Sequence, residues 1–212
     1  MYQLYWEYMA GSIVAQAMLE ESSADYGLCH VDMAADEHLQ LTYKKINPTS
    51  RVPALALPDG TTVGETAAIV VFLGEQFPEK RLTPLPGDSD RATFLFWLNV
   101  MATSGYLTVA RWAHPERYAS DPNAVQQVEE KAALDLRKFF GVMEEAIAGD
   151  PFFLARGFSA LDIYLTMLTE WHSDRAELFA DFPSLAKIAD NVRARPAYEK
   201  AIRTHELPSE AA

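Results

Sequence analysis

Three places in the 212-residue sequence combine residue types that could do chemistry. The first is Val52-Pro53, near the start of a short apolar run. Proline has no N–H to give a sheet ladder, so a strand tolerates it at its first residue, an edge or a bulge. An X-Pro bond is also the usual place for a cis peptide, although the trans form is commoner. A cis bond here would turn the Val52 N–H and C=O outward, free to pair with an extended peptide. The second place is Glu65-Thr66, which opens the apolar run 67–77 ahead of Pro78. A carboxylate can bind an ammonium, and a hydroxyl beside the N–H groups of a helix start suits a carboxylate. Plain N-terminal capping and dipole compensation would use the same two residues. The third is Gly11-Ser12, ahead of Ile13, Val14, Ala17 and Met18. Ser12 is a good N-cap, and a hydroxyl at a helix start can also hold an anion. Tyr5 offers a rival hydroxyl and Tyr8 a third, though an aromatic in a half-buried strand is the commoner role for Tyr5.

The elements that must position these groups follow from pattern. Residues 2–6 are β-prone and aromatic and read as a strand. A helix follows from Ser12, with a core-facing stripe and Gly27 able to stop it. Residues 28–33 read as a second strand, and the polar stretch 36–43 as a short helix or loop. Residues 52–57 and 61–63 flank Pro58-Asp59-Gly60, where proline presets φ and glycine accepts positive φ, so a hairpin is expected. With the helix after Glu65, residues 1–78 give a β-α-β-α-β-β-α order, an α/β arrangement. Pro84, Pro86 and Gly87 mark a linker over 79–90. Beyond it strand signals stop. Helices are expected at 88–113, bent at Gly105, and at 123–147, 159–171, 184–194 and 196–205, so 91–212 reads as an all-helical domain. Ser159 and Asp162 are spaced as a capping box, with Phe158 and Ile163 as a hydrophobic staple.

Composition narrows the function. The chain is 49% hydrophobic, enough for a sizeable core. Its net charge of −12 argues against nucleic acid and anionic membranes as partners. Cys29 is the only cysteine, which excludes an internal disulfide and fits a reducing compartment. The five histidines (His30, His38, His114, His172 and His205) show no metal-ligand spacing. The sequence shows no targeting segment and no transmembrane-length apolar run, so a cytoplasmic protein is expected.

The combination of NPTSRVPAL, the PDG turn and GETAAIVVFL resembles the glutathione-binding half of the glutathione transferase superfamily. The resemblance implies a thioredoxin-like domain over residues 1–78 and a cis Pro53. It implies that the Val52 backbone pairs with the cysteinyl unit of glutathione, that Glu65 and Thr66 hold its γ-glutamyl end, and that Arg51 can contact the ligand. MAGSIVAQAML resembles the segment in which serine-type members carry the activating serine. A free thiol has a pKa of about 8.5, so the site must favour the thiolate, and Ser12 is expected to do so. Tyrosine-type members use a residue close to Tyr5. FSALDIYL resembles the family's capping segment in the helical domain, and Asn99 in FWLNVMAT fits bacterial beta-like members. Three departures stand out: Tyr106-Leu107 replace a His-Lys pair, Ala34-Ala35-Asp36 replace a lysine for which His38 could substitute, and the first helix has no cysteine. The implied protein is a homodimeric glutathione transferase with glutathione as co-substrate. A small apolar electrophile would lie against the helical domain, near Trp6, Tyr106, Trp112, Tyr118, Met167 and Trp171. The alternatives are a module that keeps the fold without catalysis, or a glutathione-dependent lyase, dehalogenase or isomerase.

Overall fold

The structure, a computed structural model, describes residues 1–206. It divides into two compact units, one built from residues 1–91 together with residues 193–206, the other from residues 92–192. The final helix thus belongs with the first unit, where the sequence reading had put it in the helical domain. The reason is visible in the first helix. Strand β1 (Tyr2–Trp6) leads into α1 (Ser12–Glu21), in which every residue from Ser12 to Leu19 is buried. A one-sided apolar stripe was expected, yet a helix apolar all round needs cover on more than one side. The last helix, α10 (Pro196–His205), supplies it. Glu21 pairs with Arg195 at 2.5 and 2.8 Å, Glu20 with Lys200 at 2.6 Å, and Gln16 donates to Thr204 Oγ1 at 3.0 Å.

Strand β2 (Tyr26–His30) begins two residues earlier than the sequence suggests, with Gly27 inside it; α1 ends instead at Ser22. A short 3-10 turn (Glu37–Leu39) and α2 (Leu41–Lys44) follow. The expected hairpin forms from β3 (Ala54–Ala56) and β4 (Thr62–Gly64), and α3 (Thr66–Gln76) comes next. The sheet order is β2-β1-β3-β4, with β1 parallel to β2 and antiparallel to β3, and β3 antiparallel to β4. Register places Tyr5 beside Cys29 on one side and Ala54 on the other.

The second unit is helical. Helix α4 (Arg91–Val100) and α5 (Tyr106–Ala113) are joined through a π turn at Met101–Gly105, where the sequence reading placed a bend. A Cβ on Gly105 would come within 2.5 Å of the Phe139 ring, so only glycine allows that approach. The continuous helix Arg91–Ala113 has 23 residues and is long and apolar enough to cross a bilayer, contrary to the expectation that no such run exists. Its Phe94, Leu98, Met101, Thr108 and Val109 are nonetheless buried, at the spacing of a core-facing stripe. Helices α6 (Pro122–Ala146), α7 (Ala160–Glu170), α8 (Arg175–Asp181) and α9 (Pro183–Arg193) complete the set. The capping box at the start of α7 forms as expected: Asp162 Oδ2 accepts from Ser159 N–H at 2.7 Å. Asp162 also accepts from Phe153 N–H at 2.7 Å. Ile163 is buried, while the ring of Phe158 packs on Phe152 at 6.1 Å.

Candidate active site

Several chain turns of the first unit meet beside β1 and β3. The Val52–Pro53 bond is cis. The carbonyl of Arg51, one residue earlier, accepts from the Tyr43 hydroxyl and from Asn47 Nδ2, each at 2.7 Å. Asn47 Oδ1 in turn accepts from Thr49 N–H at 3.1 Å, an Asx turn that stiffens the approach to the proline. These bonds hold the Val52 backbone from behind. The Arg51 side chain is exposed, Val52 is half-buried and Pro53 is buried.

Glu65 precedes α3 with φ 62° and ψ 120° and makes no side-chain cap bond. A non-glycine residue with positive φ is strained, and such strain concentrates at functional sites. Plain capping therefore does not explain Glu65, whose side chain is exposed. Thr66 is buried, and its hydroxyl donates to the carbonyl of Gly11 at 3.4 Å. That bond brings the N-terminus of α3 next to the N-terminus of α1. A helix N-terminus leaves first-turn N–H groups without intrahelical partners, a setting that favours anions.

The β1–α1 loop, residues 7–11, is held on several sides. Ser12 is not the N-cap: that position is Gly11, and Ser12 is the first helical residue, with no exposed surface. Its Oγ–H donates to the Glu7 carbonyl and its Oγ accepts from Glu7 N–H, both at 3.3 Å. The Glu7 carboxylate accepts from Tyr8 N–H and Met33 N–H, each at 2.7 Å, and meets His30 Nε2 at 2.9 Å. The Glu7 carbonyl also meets His205 Nδ1 at 2.9 Å. Met9 lies within this loop with φ 45°.

Two stretches of the chain match family descriptions: "Glutathione S-transferase, N-terminal domain" over residues 14–76 and "Glutathione S-transferase, C-terminal domain" over residues 112–202. The chain belongs to the glutathione S-transferase family. It is 29% identical over 174 residues to glutathione S-transferase GstA of Escherichia coli O157:H7, covering 80% of this chain and 81% of that one. It is 26% identical over 201 residues to the GST-like protein YncG of Escherichia coli K12, covering 93% and 95%. Among solved structures, a sphingomonad glutathione S-transferase complexed with glutathione superposes with a TM-score of 0.83 at 26% identity, over 96% of this chain and 98% of that one. A glutathione transferase homologue from Sulfitobacter with bound glutathione gives a TM-score of 0.88 at 24% identity over 98% and 99%, a likeness of fold.

In this glutathione S-transferase fold, Tyr5 is half-buried in β1, paired in register with Ala54 of β3. Its ring packs edge-on against Tyr43 at 5.9 Å. Burial, with the neighbouring Cys29, raises its pKa above the ordinary tyrosine value, so its hydroxyl holds its proton more tightly. Burial likewise pushes Tyr43 up to about 12. Of the residues expected around an apolar pocket, Trp6 and Met167 are core residues, at 8% and 0% exposure. Tyr106 packs on Trp171 at 5.0 Å, and Trp112 stacks on His172 at 5.7 Å, both within the helical unit.

Sequence reasoning missed Glu7, Tyr43, Asn47 and His205. Asn47 was within sight, because Asn-Pro-Thr carries an Asx-turn signal. Glu7 and His205 are 198 positions apart, and no local pattern joins them.

Proposed function

We propose that this protein binds glutathione at the junction of the cis Val52–Pro53 loop with the N-termini of α1 and α3, and transfers its thiolate to a small apolar electrophile. The observation that carries this reading is the strained, exposed, non-capping Glu65 next to Thr66, with the Val52 backbone set behind Arg51 by two bonds. The Val52 N–H and C=O pair with the cysteinyl unit, the Glu65 carboxylate takes the γ-glutamyl ammonium, and the Thr66 end of α3 takes its carboxylate. The exposed Arg51 guanidinium is within reach of a second carboxylate of the ligand. The sulfur then lies toward the start of α1, where helix N–H groups favour the anion. The Ser12 hydroxyl proton is engaged by Glu7, so the direct donor to sulfur in this reading is the α1 terminus, with Ser12 supporting its shape. The sphingomonad glutathione S-transferase complexed with glutathione supports glutathione as the ligand. The protein acts as a homodimer in the cytoplasm.

Calorimetry with glutathione, followed by a conjugation assay on aryl halides and activated alkenes, tests the reading. Binding with turnover is the expected result. Binding without turnover on any electrophile class would favour a second reading, a glutathione-binding module without catalysis. The engaged Ser12 proton is the observation that favours that alternative. No binding at millimolar glutathione would overturn both.

A further inference from the structure

We infer that His205, the last residue of α10, is a positioning residue that clamps the β1–α1 loop in the shape needed to present the α1 terminus to the glutathione sulfur. The inference rests on the placement of the sulfur proposed above.

His205 reaches the loop twice. Its ring Nδ1 lies 2.9 Å from the Glu7 carbonyl, and its own carbonyl accepts from Met9 N–H at 3.2 Å. A carbonyl only accepts, so Nδ1 carries the proton and donates it. One residue therefore grips the loop at residues 7 and 9. Met9, the second of the gripped residues, sits in the left-handed region, at φ 45°. A non-glycine residue stays in that conformation only when its surroundings hold it there. The Glu7 carbonyl is shared: it also accepts the Ser12 hydroxyl, from the first turn of α1. The clamp and the helix start thus meet on a single oxygen.

The clamp is itself fixed. The pairs Glu21–Arg195, Glu20–Lys200 and Gln16–Thr204 tie α10 to α1 at three points. The Trp6 ring meets the imidazole edge-on at 5.0 Å and sets its plane. His205 is fully buried, and its Nε2 has no hydrogen-bond partner among the described residues. Burial holds its pKa down to about 4, so the ring is neutral at working pH. It acts by placing the loop, not by lending charge to the sulfur.

The test uses two variants of equal polarity and different reach. In His205→Asn the amide nitrogen can stand where Nδ1 stands and donate to Glu7. In His205→Gln it reaches toward the Nε2 position and leaves the Glu7 carbonyl unserved. The readouts are the thiolate absorbance of bound glutathione against pH, KM and kcat, and amide exchange over residues 8–11. In His205→Gln the pKa of the bound thiol should rise by about one unit, a tenfold fall in the ratio of thiolate to thiol. Its kcat should fall by a similar factor, KM for glutathione should move far less, and loop exchange should quicken. His205→Asn should restore most of each. Equal thiol titrations in the two variants, or a wild-type titration in His205→Gln, would overturn the role of His205 while glutathione binding by the wild type leaves the functional reading standing. Failure of the wild type to bind glutathione would overturn that reading and the role together.

Discussion

The Ser12 hydroxyl and the Glu7 backbone hold each other in both directions, with Oγ 3.3 Å from the Glu7 amide nitrogen and 3.3 Å from its carbonyl oxygen. A serine has a single hydroxyl proton, and here a neighbouring carbonyl already takes it. The residue best suited by sequence to stabilise a thiolate is thus bound into the loop that surrounds the proposed sulfur position.

Ser12→Ala is therefore expected to cost stability more than it costs acidity of the bound thiol. It strands the half-buried Glu7 N–H, at a cost of up to about 1–3 kcal/mol. The pKa of bound glutathione should move by under about half a unit, roughly 0.7 kcal/mol, because His205 and the Glu7 carboxylate still hold the loop. A urea melt and a thiolate titration check this. A rise of two units in Ser12→Ala, with Tyr5→Phe silent, would show that the hydroxyl swings from Glu7 to the sulfur.

Glu65→Gly separates strain from ligand binding. Relief of a left-handed conformation is worth about 1–3 kcal/mol, and added freedom of the unfolded chain offsets about 0.5–1 of it. The variant should melt at the wild-type temperature or above. Loss of a charged hydrogen bond to the ligand costs about 1.5–3 kcal/mol, so glutathione affinity should drop more than tenfold by calorimetry. A lower melting point with full affinity would make Glu65 a purely structural residue.

The buried His205 predicts how stability changes with pH. Its ring titrates near 4 in the folded protein, because burial disfavours the charged form, against about 6.5 when exposed. The folded state binds fewer protons than the unfolded chain between those values, so this contribution is complete above pH 6.5 and is lost as pH falls toward 4. The gap corresponds to about 3 kcal/mol. Chemical denaturation of the wild type and His205→Asn at pH 7 and pH 4 should show the wild type losing more stability by about that amount. Parallel losses in the two proteins would rule out His205 as the source.

In the helical unit, Asp162 is fully buried and serves Phe153 N–H and Ser159 N–H, each at 2.7 Å. Asp162→Ala leaves both donors without an acceptor and should destabilise that unit by about 3 kcal/mol or more. Asp162→Asn keeps one acceptor oxygen and should cost less. Hydrogen exchange confined to residues 92–192 is the measurement. A loss spread equally over the first unit would mean that Asp162 supports more than its own helix start.

Much of this was legible without coordinates. Pro58-Asp59-Gly60 announced its hairpin because proline presets φ and glycine accepts positive φ. Ser159 and Asp162 announced a helix start because a capping box is complete within four residues. VPAL and GET suggested the proposed glutathione site for the same reason, since each is a local arrangement of backbone and side chain. The limits of β2 were less legible, because Gly27 stops a helix and also fits within a strand.

The sequence by itself determined the α/β-then-helical order, the family and the short segments whose chemistry suits glutathione. All of these are set by interactions that span a few residues. Only the tertiary structure decided that α10 covers α1, that Ser12 spends its proton on Glu7, and that His205 closes on a loop 198 residues earlier. Those outcomes depend on which buried donors find which acceptors once distant segments pack together. A buried N–H or C=O must be satisfied by whatever the fold brings beside it, and that partner has no trace in the neighbouring sequence.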